Sequence, residues 1–258
     1  MRYSRIFALV AAVCVAAGTL AAQSASPTPP KPKTKKEFEA VKSMYAAQTP
    51  DDQIAQAKAL IDKFADSEYR GSAFYVMAAA SDLKRDWDNV VVYGEQAIAV
   101  DPMNFGSMAL MSKAIAQSTK KFDLDKADKL TRADKLAKDA IELSKKAPKP
   151  NPELTDEQWA AAVKELSEPA YEGLAFESLA KEDYAGCAEN FKLAIASMSQ
   201  LEPALLIRGG HCSLLAKKYD EAIASFDQAI NAPNSVQIIK DVATREKAAA
   251  MQAKSSAK

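Results

Sequence analysis

The side chains that most often catalyse reactions or bind metal ions are scarce in this sequence. Its 258 residues include one histidine, His211, and three cysteines, Cys14, Cys187 and Cys212. A structural zinc site needs about four such ligands at short spacings, and a nucleophilic enzyme needs a base beside its nucleophile. The few residues present match neither pattern, and no G-x-S-x-G elbow or glycine-rich phosphate loop occurs. We therefore expect a non-catalytic protein without a metal or cofactor site.

The charged residues have a structural interpretation. Acidic pairs at Asp51–Asp52 and Asp156–Glu157 lie where helices are expected to begin, and the helix dipole favours negative charge there. The densest charged run spans residues 124–146, where acids and bases alternate at spacings of three and four. That alternation predicts a solvated helix face with weak ion pairs, not a surface for nucleic acid.

Residues 1–22 have the composition of a secretory signal peptide. Two arginines precede an apolar run over residues 6–20, and small residues follow, with cleavage expected between Ala21 and Ala25. The run is shorter than the ~20 residues of a membrane-spanning helix, so we favour a cleaved leader over an uncleaved anchor. Cys14 lies inside the apolar run, so we do not expect lipidation. The leader predicts a periplasmic or secreted protein, with no stable membrane span after its removal.

The charge and composition of the chain narrow the classes of partner that it is expected to bind. Without the leader, 32 basic and 34 acidic residues remain, a net charge near −2. This balance offers no basic surface for nucleic acid and no polybasic patch for anionic lipid. Residues 23–35 are rich in proline and lysine and lack large apolar side chains, which predicts a disordered lead-in. We expect residues 251–258 to form a flexible tail.

Aromatic and small residues recur along the chain at offsets of 0, 3, 7 and 10. The pattern appears at Trp87, Val90, Gly94 and Ala97, at Tyr184, Cys187, Phe191 and Ala194, and at Tyr219, Ala222, Phe226 and Ala229. Offsets of 3, 4 and 7 lie on one face of an α-helix, so these residues indicate the packing face of the second helix in a helix pair. The small residues let the first helix approach closely, and the aromatic fills the space beside it. Such a pair cannot bury both of its faces, so the pairs must stack.

This pattern resembles the tetratricopeptide repeat (TPR), a helix–turn–helix unit of about 34 residues. The resemblance is clearest in residues 71–102, 167–200 and 201–234, and the whole chain resembles secreted bacterial TPR proteins without assigned activity. It implies an all-α fold, a right-handed solenoid over residues 36–250 with about five helix pairs and a C-terminal capping helix. Residues 120–129 read as an insertion or as an extension of a second helix.

The sequence departs from the TPR pattern at several positions. Arg85, Glu182 and Lys217 occupy the turn position that usually holds glycine, and a non-glycine residue there costs roughly 1 kcal/mol, which predicts looser turns. Gly94 replaces the usual aromatic residue. Pro169 predicts a kink or a restart within a first helix.

The two cysteines of the mature chain fall at packing positions. Cys187 takes the place of a small buried residue, and Cys212 lies next to the packing face of its helix. We favour two buried thiols that act as small apolar side chains. A disulfide is the alternative, since an exported protein meets oxidising conditions.

The resemblance implies that function lies on the concave groove formed by the first helices. Carried over position by position, the groove residues are Tyr75, Ala79, Asp82, Ala109, Lys113, Glu172, Phe176, Ile207, His211 and Leu214. The asparagines of the clamp with which some TPR proteins hold a C-terminal carboxylate are missing, so we do not expect binding of that kind. The groove is partly apolar and aromatic, which suits a helix or an extended segment.

These features predict a cell-envelope scaffold or adaptor that binds a protein or peptide partner along the groove. One alternative is a structural envelope protein that associates with itself. The other is an accessory subunit of an envelope enzyme or assembly complex.

Overall fold

The computed structural model describes residues 30–150 and 153–257, and over these ranges the chain is entirely helical with no β-strand. The predicted signal peptide, residues 1–22, and residues 23–29 of the predicted lead-in lie outside the described residues. The eleven helices are α1 (Lys35–Ala46), α2 (Pro50–Lys63), α3 (Arg70–Leu83), α4 (Trp87–Val100), α5 (Phe105–Ser118), α6 (Lys126–Ser144), α7 (Asp156–Ala180), α8 (Tyr184–Ser197), α9 (Pro203–Leu215), α10 (Tyr219–Asn231) and α11 (Gln237–Ser256). Nowhere in the described ranges is a helix both long and apolar enough to cross a membrane.

The helices stack as five consecutive pairs, α1–α2 to α9–α10, and each pair packs against the next. The most extensive contact between pairs joins two first helices, α5 and α7, and the last helix, α11, packs on α10 and α9. This arrangement confirms the all-α solenoid of about five helix pairs with a C-terminal capping helix.

The recurring small and aromatic residues form the packing faces of the second helices. Ala222, Phe226 and Ala229 of α10 are fully buried. A Cβ atom added to Gly210 of α9 would lie 2.7 Å from the Phe226 ring, so the bare glycine is what lets the two helices meet. In the early repeat, Met111 of α5 fills the space beside Gly94 that an aromatic side chain would otherwise occupy.

The three turns that lack glycine nevertheless adopt the left-handed conformation. Arg85, Glu182 and Lys217 have φ angles of 57°, 63° and 60°. In each turn the next N–H donates to a serine carbonyl five residues earlier: Asp86 to Ser81 at 2.9 Å, Asp183 to Ser178 at 2.9 Å, and Lys218 to Ser213 at 2.8 Å. This is the Schellman arrangement. The expectation of looser turns was wrong, because the repeat keeps its geometry and accepts the backbone strain.

Helix α7 is longer than a standard first helix. It begins with the capping box expected from the sequence, in which Thr155 Oγ1 accepts from the Gln158 N–H at 3.1 Å and Gln158 Oε1 accepts from the Thr155 N–H at 2.9 Å. The helix then continues through Pro169 without a restart.

The segment between α5 and α6 is shorter than the predicted insertion. Residues 119–125 form the connection, and residues 126–129 already belong to α6. Asp123 Oδ2 holds the loop by accepting from the Lys120 N–H at 3.1 Å and from Lys129 Nζ at 3.0 Å. The charged face of α6 carries ion pairs such as Lys138–Asp134 at 2.8 Å, and that hydrogen bond raises the pKa of Lys138.

Both ends of the described chain make contacts that the sequence did not suggest. The sequence placed residues 251–258 in a flexible tail, whereas α11 continues to Ser256, beyond the expected end of the solenoid at residue 250. Helix α11 also buries Ala250 and pairs Lys254 with Asp220 of α10. The last part of the lead-in contacts the α2–α3 connection, where the Tyr69 hydroxyl donates to the Pro30 carbonyl at 2.7 Å.

The favoured interpretation of Cys187 and Cys212 as free thiols was also wrong. The two residues form a disulfide between α8 and α9, with their Cα atoms 5.8 Å apart and both side chains buried. The small-residue position of the repeat brings the two helices close enough for the bond. It closes a loop with a sequence separation of 25, for which chain entropy predicts a stabilisation of about 3.5 kcal/mol.

The left-handed turns predict that glycine substitution stabilises the protein. Replacing Glu182 with glycine removes the steric cost of its positive φ and should raise the free energy of unfolding by about 0.5–1 kcal/mol in urea denaturation. Lys181→Gly is the matched control, because Lys181 has an ordinary φ of −90° and glycine relieves no backbone strain there. A Glu182→Gly variant that is less stable than the parent would contradict this account of the turn.

The close contact at Gly210 predicts the opposite effect for alanine. A methyl group there meets the fully buried Phe226 ring, so Gly210→Ala should lower the free energy of unfolding by about 1–3 kcal/mol. Gly71→Ala in α3 is the control, since its added Cβ finds its nearest neighbour at an ordinary 3.4 Å. Equal effects of the two substitutions in denaturation experiments would rule out the tight contact.

Candidate binding cleft

The first helices α3, α5, α7 and α9 line a cleft of about 460 Å³. Its floor is Lys113 and Gln117 of α5. One wall comes from the α3–α4 turn, and the other comes from α7 and the connection between α8 and α9. The lining residues are Asp82, Leu83, Arg85, Trp87, Lys113, Gln117, Glu165, Glu168, Glu172, Met198, Ser199, Gln200, Leu201, Glu202, Arg208 and Asn234.

Four charged side chains connect the first helices across the cleft, and we call Asp82, Lys113, Glu172 and Arg208 the ion network. Lys113 Nζ of α5 lies 2.6 Å from Asp82 Oδ2 of α3 and 3.6 Å from Glu172 Oε1 of α7. Arg208 Nη1 of α9 lies 3.5 Å from Glu172 Oε2. The network therefore spans four successive repeats through one side chain from each.

Most of the ion network is removed from water. The side chains of Asp82 and Lys113 are each 6% exposed and that of Glu172 is 2% exposed, whereas Arg208 is 34% exposed. The Arg208 guanidinium also lies 5.2 Å from the centre of the Phe176 ring, within the range of a cation–π contact. Charges buried to this extent are tolerated only when they are paired, so the network fixes the relative positions of the helices that carry it.

Glycine allows the α5–α7 contact that brings Lys113 and Glu172 together. A Cβ atom on Gly173 would overlap Ser112 Oγ and lie 3.0 Å from the Lys113 backbone nitrogen. Ser112 Oγ in turn donates to the Ala133 carbonyl of α6 at 2.7 Å, and this hydrogen bond fixes the position of the Ser112 side chain. The two backbones approach closely at the residues that carry the ion network.

The cleft carries more negative than positive charge. Among its lining residues, five carboxylates face three cationic groups, a formal excess of two negative charges. The carboxylates are Asp82, Glu165, Glu168, Glu172 and Glu202, and the cationic groups are Arg85, Lys113 and Arg208.

The ten groove residues inferred from the resemblance fall into three groups. Asp82, Lys113 and Glu172 line the cleft. Phe176, Ile207 and His211 line a smaller apolar cavity of about 210 Å³ beside α11. The remaining four are Tyr75, Ala79, Ala109 and Leu214, which lie in helix packing.

Two of those four residues, Ala79 and Ala109, correct the expected groove, whereas Tyr75 and Leu214 are partly exposed beside their packing contacts. Ala79 and Ala109 are completely buried, so neither can contact a partner. The Tyr75 ring packs on Gly106, whose added Cβ would lie 2.9 Å from Tyr75 Cε2. Leu214 packs against the buried cluster around Phe226. The stretch of α3 and α5 expected to be open is closed because these first helices pack directly on each other.

The exposed His211 contacts the capping helix. Its Nδ1 atom lies 3.2 Å from Glu246 Oε2 of α11, and Val242 of the same helix also lines the apolar cavity. Helix α11 therefore occupies the C-terminal end of the inner surface next to His211. Across the described residues, no group of three or more histidine, cysteine or acidic side chains is arranged to hold a metal ion.

Several cleft residues were absent from the sequence-based list. Glu165 and Glu168 precede Glu172 by seven and four residues, which places all three carboxylates on one face of α7. That spacing could have placed Glu165 and Glu168 beside Glu172 from the sequence alone. No such signal pointed to Trp87, the first residue of α4, or to Leu201 and Glu202 of the α8–α9 connection, because their positions at the cleft depend on how the repeats stack.

Comparison with known proteins identifies the fold. No family model and no curated protein matches the sequence. In structure the chain is similar to a thermophilic TPR protein from Thermus thermophilus, with a TM-score of 0.54 and 16% sequence identity. The match covers 79% of this chain and 91% of the other. The protein therefore has a TPR-type fold, as the repeat pattern predicted.

The ion network predicts a large loss of stability when its central cation is removed. Lys113→Met keeps most of the apolar stem but leaves Asp82 and Glu172 buried without their shared ammonium group, so the free energy of unfolding should fall by about 3–5 kcal/mol. Lys138→Met, which breaks a solvent-exposed pair with Asp134, should cost less than about 1 kcal/mol. A similar small loss for both variants in urea denaturation would contradict the structural role of Lys113.

Proposed function

We propose that the protein is a non-catalytic scaffold or adaptor of the cell envelope that binds a protein or peptide partner along its first helices. The observation that carries this proposal is the cleft between α3, α5, α7 and α9, whose walls come from separate repeats. Its volume of about 460 Å³ is that of a small-ligand pocket, so it has room for side chains of a partner and not for a whole segment. TPR-type folds generally mediate protein–protein interaction, which agrees with such a role.

Two features support a location in the envelope. The N-terminal leader has the pattern of a secretory signal, and Cys187 and Cys212 form a buried disulfide. Structural disulfides persist in oxidising compartments outside the cytosol.

Self-association is the second candidate, and the 119–125 loop favours it. Phe122 and Leu124 are almost fully exposed there, although hydrogen bonds and ion pairs of Asp123 fix the loop. These two exposed apolar side chains, two residues apart on a fixed loop, offer a small apolar surface for such a contact. Such a contact would join copies of the chain, or attach it to a larger envelope complex as an accessory subunit.

Site-specific photocrosslinking in native cells tests the proposed function. A photoreactive residue in place of Gln117, on the cleft floor, should capture one discrete protein partner, identified by mass spectrometry. The same residue in place of Gln96, exposed on α4, is the control and should not capture that partner. Absence of a product at Gln117, or identical products at both positions, would refute binding in the cleft. A product made of two copies of this chain would favour self-association.

A further inference from the structure

We propose that the 119–125 loop of one copy of this chain docks in the apolar cavity of a second copy. The inference gives a defined site to self-association, the second candidate above, and it does not depend on partner binding in the cleft. Phe122 is the side chain that enters the cavity, and two copies exchange their loops around a twofold axis.

The loop presents two large apolar side chains to solvent in a fixed position. Phe122 is 87% exposed and Leu124 is fully exposed, and no other large apolar side chain in residues 30–150 or 153–257 is as exposed. Asp123 and Asp125 hold the loop, because both contact Lys129 Nζ, at 3.0 Å and 2.9 Å. A contact through this loop therefore buries apolar surface without first having to order the backbone that carries it.

The apolar cavity has the size and the lining for one aromatic ring. Its apolar lining is Phe176, Leu179, Phe191, Ile207 and Val242, together with Cys212 of the disulfide. An apolar cavity of about 150 Å³ is large enough to bind benzene, and this one measures about 210 Å³. The rings of Phe176 and Phe191 meet edge to face with their centres 5.4 Å apart, so a third ring extends an existing aromatic cluster.

The loop and the cavity lie close together at the C-terminal end of α7. Lys126, the first residue after the loop, donates from Nζ to the Ala180 carbonyl at 2.7 Å, and the neighbouring Leu179 lines the cavity. The docking element and its receptor therefore belong to the same part of the molecule. Two copies that face each other there can each insert a loop into the other, which is an isologous contact that closes at two copies.

The charges around the two elements favour the same contact. Lys121 is exposed next to Phe122, with its Nζ atom 5.9 Å from the centre of that ring. At the cavity, Glu246 contacts His211, which is charged only when protonated, while Arg208 is already held by the ion network. The loop lysine and the Glu246 carboxylate are opposite charges that meet when the ring enters, and such a pair at the rim sets orientation more than affinity.

Sedimentation equilibrium over a concentration series tests whether the chain associates. The sample is the chain from residue 23 onward, which contains every described residue. A contact made by two loops and two cavities is small, so we expect a weak dimer with a Kd on the order of 10 µM. The twofold exchange predicts that no species larger than two copies forms.

Two substitutions address the loop and the cavity separately. Phe122→Ala removes the inserted ring, Val242→Trp fills the cavity from α11, and each should raise the Kd of the dimer at least about tenfold. Met103→Ala, at an exposed apolar residue of the α4–α5 connection, is the matched control for the loop. Ala249→Trp, at an exposed residue of α11, is the matched control for the cavity. Both controls should leave the Kd unchanged.

A mixture of the two interface variants tests the exchange itself. The Phe122→Ala copy keeps its cavity and the Val242→Trp copy keeps its loop, so a mixed dimer regains one of the two contacts. The mixture should therefore associate more weakly than the parent chain and more tightly than either variant alone. If Val242→Trp disturbs helicity by circular dichroism, Phe122→Ala decides the question, because that side chain is exposed.

Photocrosslinking identifies what Phe122 contacts. A photoreactive residue in place of Phe122, in a mixture of ¹⁵N-labelled and unlabelled copies, should link residue 122 to peptides of α9 or α11. Mass spectrometry should find pairs that join a labelled peptide to an unlabelled one, which a contact within one chain cannot give.

Three results would overturn the inference. These are a chain that stays monomeric up to about 1 mM, equal effects of Phe122→Ala and Met103→Ala on the Kd, and crosslinks from residue 122 only to segments away from the cavity. In cells, capture of a different protein at residue 122 in place of a second copy would also reject it. A monomeric chain that still captures a partner at Gln117 would reject this contact and leave the proposed function standing.

Discussion

The structure depends on one constraint: a single helix pair of this chain has two faces to bury and can bury only one by itself. Helix α5 shows the consequence, since nearly every residue from Phe105 to Ala116 is buried by helices on several sides. Stacking at this density is possible because Gly173 and Gly210 carry no side chain where neighbouring backbones or rings approach. Charges on these helices are then buried as well, and buried charges must be paired.

Packing and the candidate function are therefore linked by the same residues. The α5–α7 contact at Gly173 places Lys113 beside Glu172, and the resulting ion network joins four first helices. A surface formed in this way is already fixed in the free protein, so the proposed binding would not have to order it. The disulfide between Cys187 and Cys212 likewise restricts the movement of α8 and α9, whose connection lines the cleft.

The sequence predicted the parts of the fold that follow from local periodicity. The spacing of Tyr219, Ala222 and Phe226 indicated the packing face of α10, and Thr155 with Gln158 indicated the start of α7. It predicted the cleft only in part, because burial of Ala79 and Ala109 depends on how closely whole repeats stack. The tight turn at Glu182 and the disulfide were misjudged for a related reason, because both are decided by tertiary packing. Packing holds Glu182 in a backbone conformation that it disfavours, and it brings the two cysteines together.

The central claim is that the first helices form one preformed wall held by packing and buried charge, and hydrogen–deuterium exchange tests it most directly. In the free protein, the account predicts that amides in the centres of α5 and α7 exchange more slowly than all others and at similar rates. The end helices α1 and α11 should open first, since each has only one neighbouring layer. Exchange of α5 or α7 as fast as that of α1 or α11 would contradict the account.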